Sequence, residues 1–185
     1  VIGLIFSCLF GAQLRMTQAA DLSGVAVKDA IERGKKYLIS QQAANGSWSN
    51  DAENQTVGTT SLVLLALINS GMTIQDVPVK RGIQYLRALP ANEPKSHPET
   101  YQVALLIMAL AAAKDGATDK VRISNLANRL ELGQMTTANS GAWGYGLSGG
   151  GDLVGGDNSN TQFAILGLRE AVEFGAVVSR DTWQR

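Results

Sequence analysis

The chain has 185 residues, of which 45% are hydrophobic and 17% are charged. This length and composition are typical of a globular protein with one well-filled core, and they exclude extensive disorder. Sixteen basic residues balance sixteen acidic ones without a long run of either sign, so no long-range field attracts nucleic acid or anionic lipid. We therefore expect no nucleic-acid partner.

The first residues of the chain are predicted to be a targeting segment. Val1 to Ala12 is an almost uncharged apolar run, and residues 13–20 carry one arginine and end in small residues. This order is typical of the hydrophobic and cleavage regions of a secretory signal peptide. We predict that residues 1–20 are a signal peptide lacking its own start, that membrane contact is confined to this leader, and that the protein is exported to the periplasm or cell envelope.

Two alternatives for this leader stay open. One is an uncleaved membrane anchor, although a span needs about 20 apolar residues and this run is shorter. The other is lipidation of Cys8, although the apolar run continues directly after it. Cys8 is the single cysteine of the chain, so neither a disulfide nor a thiolate metal site is expected in residues 21–185.

After the leader, segments with one apolar side alternate with segments that are apolar on every side. The first segment is a predicted helix with one stripe of mostly apolar side chains: Val27, Ala30, Ile31, Gly34, Tyr37, Leu38 and Gln41. Its opposite side is charged, so one face of this helix is predicted to be buried. The second segment, Leu62 to Ile68, has no polar residue, and a helix there is predicted to be covered all round.

The same alternation occurs twice more along the chain. One-sided helices are predicted around Val79, Ile83, Leu86 and Leu89, and around Ile123, Leu126, Ala127 and Leu130; apolar helices are predicted over 104–113 and 163–172. A glycine follows each apolar helix, at Gly71, Gly116 and Gly175, as is common after a last helical turn. The sequence therefore predicts an all-α protein of three helix hairpins in two layers. Periodicity alone fits an α/α-barrel and a solenoid.

The exit from the first predicted helix carries a motif. Residues 33–48 read Arg-Gly-Lys-Lys-Tyr-Leu-Ile-Ser-Gln-Gln-Ala-Ala-Asn-Gly-Ser-Trp, which resembles the QW motif of squalene-hopene and oxidosqualene cyclases. Residues 81–86 repeat its opening half, and Gln134 with Gly141 to Trp143 repeats its closing half across a longer gap. On these residues the chain is similar to the terpenoid cyclase and protein prenyltransferase superfamily, with its prenyltransferase and squalene oxidase repeats.

The resemblance implies an α/α-toroid, which is a ring of inner and outer helices. Three hairpins would form an incomplete ring, and we expect the domain of residues 21–185 to continue further in a larger exported bacterial protein. In that family the motif locks the end of an outer helix to the next loop. This implies structural roles for Gln42, Gly46 and Trp48.

The catalytic motifs of the family are altered in this chain. Class II cyclases protonate an alkene with Asp-x-Asp-Asp-Thr, and the resembling residues 157–161 read Asp-Asn-Ser-Asn-Thr. Ser159 and Asn160 stand where the acids belong, and neither is a strong acid near neutral pH. Prenyltransferases hold zinc with an Asp-x-Cys pair and a distant histidine, but Ser159 replaces the cysteine and His97 lies in a polar connection. We predict no metal and no cofactor, and the catalytic residues stay unknown.

A glycine-rich segment over 141–157 leads into the third inner helix. Asp157 or Ser159 is predicted to cap that helix by accepting hydrogen bonds from its first amides. The functional alternative is that the segment reaches the mouth of the cavity, where aromatic rings and helix amides hold an apolar or anionic ligand. The candidate residues for such a pocket are Trp143, Tyr145, Asp157, Ser159 and Gln162.

Several functions are compatible with these residues. The leading hypothesis is an exported toroid domain that binds an apolar or isoprenoid-like ligand or a protein partner, or serves as a scaffold, without a demonstrable catalytic motif. The alternative is a squalene-hopene-cyclase-like isoprenoid cyclase whose catalytic acid lies outside residues 1–185. A carbohydrate-processing α/α-barrel is a third class, with Asp152 and Asp157 as its candidate acids.

Overall fold

Every regular element in the described part of the chain is a helix. The computed structural model describes residues 23–49, 55–137, 141–147 and 155–185, and the predicted signal peptide lies outside them. The predicted all-α class is confirmed. The helices are α1 (Gly24–Ser40), α2 (Thr56–Asn69), α3 (Val77–Ala88), α4 (Glu99–Ala112), α5 (Lys120–Gly133), α6 (Asn158–Glu173) and α7 (Arg180–Gln184), with a 3-10 turn at Gly116–Asp119.

The helices alternate between two layers. In the inner layer α4 lies between α2 and α6, while in the outer layer α3 packs across α2 and α4, and α5 across α4 and α6. The first turns of the inner helices lie together, because the backbone N–H of Gly58 donates to Oε1 of Gln102 and the Tyr101 hydroxyl donates to Ser159. In chain order the helices fall into three consecutive pairs of an outer and an inner helix, α1–α2, α3–α4 and α5–α6.

The centre of the core is α4. Leu106, Ile107 and Leu110 are fully buried because neighbouring helices of both layers surround them, and burial of each such side chain contributes about 1.5–3 kcal/mol. By contrast, among the described helices α2 and α6 each have an inner neighbour on one side only, and Leu62 and Ile165 are 55% and 44% exposed. The prediction that the apolar helices are covered all round is therefore confirmed for α4 and wrong for α2 and α6.

The outer helices also differ in how much of their apolar stripe is buried. The apolar stripes of α3 and α5 are buried as predicted, at Val79, Ile83, Leu86, Ile123, Leu126, Ala127 and Leu130. The predicted burial of one face of α1 is wrong, because α1 has no buried residue and Val27 and Ile31 are each 44% exposed. α3 and α5 each cover two consecutive inner helices, whereas among the described elements α1 has no inner helix before it.

The helix ends follow the glycine prediction at two of three positions. Gly71 after α2 and Gly175 after α6 have φ values of +96° and +94°, a region that glycine adopts without steric cost. At the end of α4 the positive φ, 51°, falls on Lys114, and Gly116 instead begins the 3-10 turn. The residue with positive φ at the end of α4 is therefore Lys114 and not the predicted Gly116.

Gly82 and Gly34 occupy the same place in the repeated Arg-Gly-x-x-Tyr-Leu segment, but their surroundings differ. A Cβ on Gly82 would lie 2.8 Å from Cδ2 of Leu64 and 2.9 Å from Cζ3 of Trp48, whereas a Cβ on Gly34 would meet no described heavy atom within 4 Å. Leu64 and Trp48 are both buried. They leave no room for a side chain on α3.

We expect Gly82→Ala to lower the free energy of unfolding by about 1–2 kcal/mol, because overpacking outweighs the better helix propensity of alanine. Gly34→Ala is the matched control, and it should raise the free energy of unfolding by up to about 1 kcal/mol through helix propensity alone. Urea unfolding monitored by circular dichroism measures both changes. Changes of the same sign and size would contradict the different packing of the two glycines.

Candidate functional site

The loop after α1 is braced to α3. The Nε2 of Gln42 donates to the carbonyl oxygens of Gly46 and Pro78, each at 2.9 Å. The ring N–H of Trp48 donates to the carbonyl oxygen of Leu38 at 2.6 Å. These residues therefore connect the end of one outer helix to the start of the next, and the side chains bind backbone rather than a ligand.

The loop after α5 has the same brace, now to α7. The Nε2 of Gln134 donates to the carbonyl oxygens of Gly141 and Thr182, each at 3.1 Å, and the ring N–H of Trp143 donates to that of Leu130 at 2.7 Å. Trp143 is 1% exposed. The structure thus gives Trp143, a pocket candidate from the sequence, the same contacts as Trp48.

A third hydrogen bond, made by the backbone of each tryptophan, shows which residues of α2 correspond to which residues of α6. The backbone N–H of Trp48 donates to the Thr60 hydroxyl oxygen at 3.0 Å, and that of Trp143 donates to the Thr161 hydroxyl oxygen at 3.1 Å. Thr60 lies in the first turns of α2 and Thr161 in those of α6. Counting from these threonines, each later position of α2 has an equivalent in α6.

The junction between α3 and α5 uses arginines instead. Arg122 of α5 donates to the carbonyl oxygens of Leu89 and Arg87 at the end of α3, at 3.0 and 3.2 Å. Arg129 donates to the carbonyl oxygen of Pro94 and to Oε1 of Glu99, each at 2.6 Å. The donors here come from the following helix, because the loop after α3 has no glutamine or tryptophan.

The described part of the glycine-rich segment, residues 141–147, is fastened to the start of α4. The Thr100 hydroxyl donates to the carbonyl oxygen of Gly144 at 2.6 Å, and the Thr100 N–H donates to that of Tyr145 at 3.1 Å. The Tyr145 ring stacks on His97 with centroids 5.1 Å apart and lies 6.1 Å from the Tyr101 ring. Tyr145 is therefore held beside α4, and residues 148–154 lie outside the described part.

Asp157 caps α6. Its Oδ1 accepts from the backbone N–H of Asn160 at 2.8 Å, and its Oδ2 accepts from the Asn160 side-chain amide at 2.7 Å. The backbone hydrogen bond from Asn160 is the main reason that the pKa of the Asp157 carboxyl is lowered, with smaller help from the Asn160 amide and the Ser159 backbone and some opposition from desolvation. The carboxylate therefore stays ionised and is a poor proton donor.

An apolar groove of about 390 Å³ lies on the inner layer near these helix starts. Most of its lining comes from α2 and α4, and Phe163 of α6 completes it. Its lining consists of apolar side chains with uncharged polar groups: Gln55, Gly58, Thr59, Leu62, Val63, Pro98, Tyr101, Gln102, Leu105 and Phe163. Tyr101 is the only titratable group in this described lining, so the groove offers no carboxylate or cation to a ligand.

The structure brings some of the sequence candidates to the edge of this groove. Tyr145 contacts Tyr101, and the Ser159 hydroxyl accepts from the Tyr101 hydroxyl, so both lie one side chain away from the lining. Trp143 and Asp157 serve the brace and the cap, and Gln162 is exposed on α6. None of the five candidates belongs to the lining of the groove.

The residues that sequence reasoning missed are Tyr101 and Phe163. The two rings lie 4.8 Å apart, between centroids, and both belong to the lining of the groove. The available signal was the position of an aromatic residue in the first turns of two apolar helices. That signal is weak, since aromatic residues are equally common in cores.

The described residues were also compared with the requirements for a metal site and for a membrane-spanning helix. These residues contain no group of three or more His, Cys, Asp or Glu side chains that could hold a metal ion. None of the helices they form is long and apolar enough to cross a membrane. No known protein family's model matches the chain, and neither a curated protein nor a solved structure matches it.

The Asp157 cap has a measurable pH dependence. We expect Asp157→Ala to lower the free energy of unfolding by about 1 kcal/mol at pH 7, as is typical for loss of an N-cap. Because the folded pKa of Asp157 is lowered, its ionic contribution is present above the ordinary aspartate pKa of about 3.9 and disappears as the pH falls through the lower folded value.

The control for this prediction is Asp157→Ser, which keeps an N-cap acceptor but cannot ionise. Urea unfolding of the three proteins between pH 7 and pH 3 separates the cap from its charge. The difference between wild type and Asp157→Ser should shrink as the pH falls. A difference that grows on acidification would mean that Asp157 is not held as a stabilised carboxylate.

Proposed function

We propose that this chain is a non-catalytic module of the α/α-toroid type that binds an uncharged, apolar ligand in the groove between α2 and α4. The observation that carries the proposal is the lining of that groove, in which apolar and aromatic side chains surround a few uncharged polar groups. A volume of about 390 Å³ falls within the usual range of small-molecule sites. An elongated hydrocarbon such as an isoprenoid suits both the size and the lack of charge.

Acid catalysis has little support at this site. A donor that protonates an alkene must hold its proton at neutral pH, which requires a raised pKa. The pKa of Asp157 is shifted in the opposite direction, and its oxygens already accept hydrogen bonds from Asn160. Ser159 stands where the cyclases have an acid, and its hydroxyl accepts a hydrogen bond from the Tyr101 hydroxyl. Binding without turnover is therefore the simpler function.

Kinship with the terpenoid cyclase superfamily is part of this proposal. Two braces of the same design support it, since Gln42 and Trp48 in the first match Gln134 and Trp143 in the last. Export to the periplasm or cell envelope rests on the signal-peptide pattern of residues 1–20 alone. An exported module would meet its apolar ligand at the membrane surface, where such molecules concentrate.

A charge placed in the groove tests the binding site. Leu62 lines the groove and is 55% exposed, so Leu62→Lys should fold normally. We expect this variant to bind the neutral fluorescent probe N-phenyl-1-naphthylamine about tenfold more weakly, because the ammonium group must be desolvated or kept out of the groove. The readout is the fluorescence titration of the probe, with farnesol as a neutral competitor.

The matched control is Leu132→Lys, since Leu132 is 71% exposed on α5 and is not part of the groove lining. It should bind the probe like the wild type. Equal weakening by both variants would contradict the groove as the binding site. A cyclised product formed from squalene, and lost on Asp157→Asn, would contradict the absence of catalysis.

A further inference from the structure

The lining of the groove changes in character along the inner helices. The starts of α2 and α4 supply all the polar side chains of the described lining, which are Gln55, Thr59, Tyr101 and Gln102. The second turns of the inner helices supply only apolar side chains to it, which are Leu62, Val63, Leu105 and Phe163. Because the first turns of these helices lie together, the groove has a polar end at the helix starts and an apolar end one turn further along.

Two of the four polar side chains already have protein partners. Oε1 of Gln102 accepts from the Gly58 N–H, and its Nε2 donates to the carbonyl and hydroxyl oxygens of Ser96, at 2.8 and 3.1 Å. The Tyr101 hydroxyl donates to that of Ser159. These bonds hold the wall of the groove in place. The Tyr101 oxygen keeps lone pairs that can accept a further hydrogen bond.

The Thr59 hydroxyl is a group that this network leaves available. Thr59 lines the groove and is half-buried, and none of the described residues forms a hydrogen bond with its side chain. Its backbone is fixed in α2, where its N–H donates to the Gln55 carbonyl oxygen at 2.9 Å. Filling the groove removes water from the hydroxyl, and this costs free energy unless the ligand supplies a hydrogen bond. A pure hydrocarbon cannot supply one, whereas a ligand hydroxyl can.

We propose that the ligand of this groove is an apolar alcohol, with its hydroxyl at the polar end and its chain along the apolar end. The inference rests on the proposed binding function and adds the chemical class and the orientation of the ligand. A hydroxyl both donates and accepts, so it suits Thr59, which can do both, and the Tyr101 oxygen, which is left to accept. It carries no charge, in keeping with a described lining that has neither a carboxylate nor a cation. A few polar groups of this kind commonly set the orientation of a ligand in an apolar site.

Competition against N-phenyl-1-naphthylamine tests the assignment with two ligands that differ by a single oxygen atom. They are farnesol and the hydrocarbon that has the same carbon skeleton and double bonds but no hydroxyl. We expect Thr59→Val, which replaces the hydroxyl by a methyl group of similar size, to weaken farnesol binding about fivefold through loss of one hydrogen bond. It should leave hydrocarbon binding unchanged. Each ligand is compared with itself between variants, so its own hydration cancels.

Two further variants of α2 serve as controls. Thr56→Val makes the same substitution at the start of the same helix but outside the lining of the groove, and it should bind both ligands like the wild type. Leu62→Ala shortens a side chain of the apolar end and should weaken both ligands to the same extent, by about threefold, because it removes apolar contact from either chain. Circular dichroism of each variant confirms that it is folded.

The outcomes separate this inference from the binding function itself. If Thr59→Val affects the two ligands equally, or affects neither, the alcohol assignment is wrong while binding in the groove stands. If Leu62→Ala weakens farnesol alone, the hydroxyl lies at the other end and the orientation is wrong. If neither ligand displaces the probe from the wild type, the proposed function fails and the assignment fails with it.

Discussion

The contact on which the row of helix pairs depends is the hydrogen bond from a tryptophan ring N–H to the last turns of an outer helix. A helix leaves its final carbonyl groups without intrahelical donors, and a buried indole supplies one in the first pair and in the third. The loop is thereby held close to the helix end, and the nearby glutamine reaches the next outer helix. Each braced pair consequently sets the position of the outer helix that follows it.

The junction between α3 and α5 shows that carbonyl groups at the end of an outer helix can receive side-chain donors other than tryptophan and glutamine. Pro90 stands at the position of Gln42, counted from Leu86 and Leu38, and proline has no side-chain donor. Arg122 and Arg129 supply the donors from the opposite side of the junction. Arginine suits this task because its guanidinium can bind several carbonyl oxygens at once. The donors come from the other helix, and of the carbonyl groups that they bind only Pro94 stands at a position bound in the first brace, that of Gly46.

Much of this arrangement was predictable from the sequence, for reasons that the residues make clear. The buried stripes of α3 and α5 follow from spacing, since Ile83 and Leu126 lie on faces that any packed helix must cover. The exposure of α1 could not be predicted, because its stripe is as apolar as theirs, and what distinguishes it is that no other described helix packs over that stripe. The sequence allows two roles for Trp143, the closing half of the motif and a pocket residue, and the hydrogen bond from its ring N–H to Leu130 decides for the brace. The groove was missed because its lining comes from three helices that are distant in the chain.

The start of α6 illustrates how one position can serve either stability or acid catalysis, but not both. An aspartate at an N-cap accepts hydrogen bonds from the amides of the first turn, and these bonds favour the ionised carboxylate and so lower its pKa. A catalytic acid at the same place must keep its proton, so it needs acidic neighbours or apolar burial that raise the pKa. Here Asn160 is fully buried and donates two hydrogen bonds to Asp157, where a second acid would have repelled the charge. The same asparagine that secures the helix start therefore also favours the ionised form of Asp157.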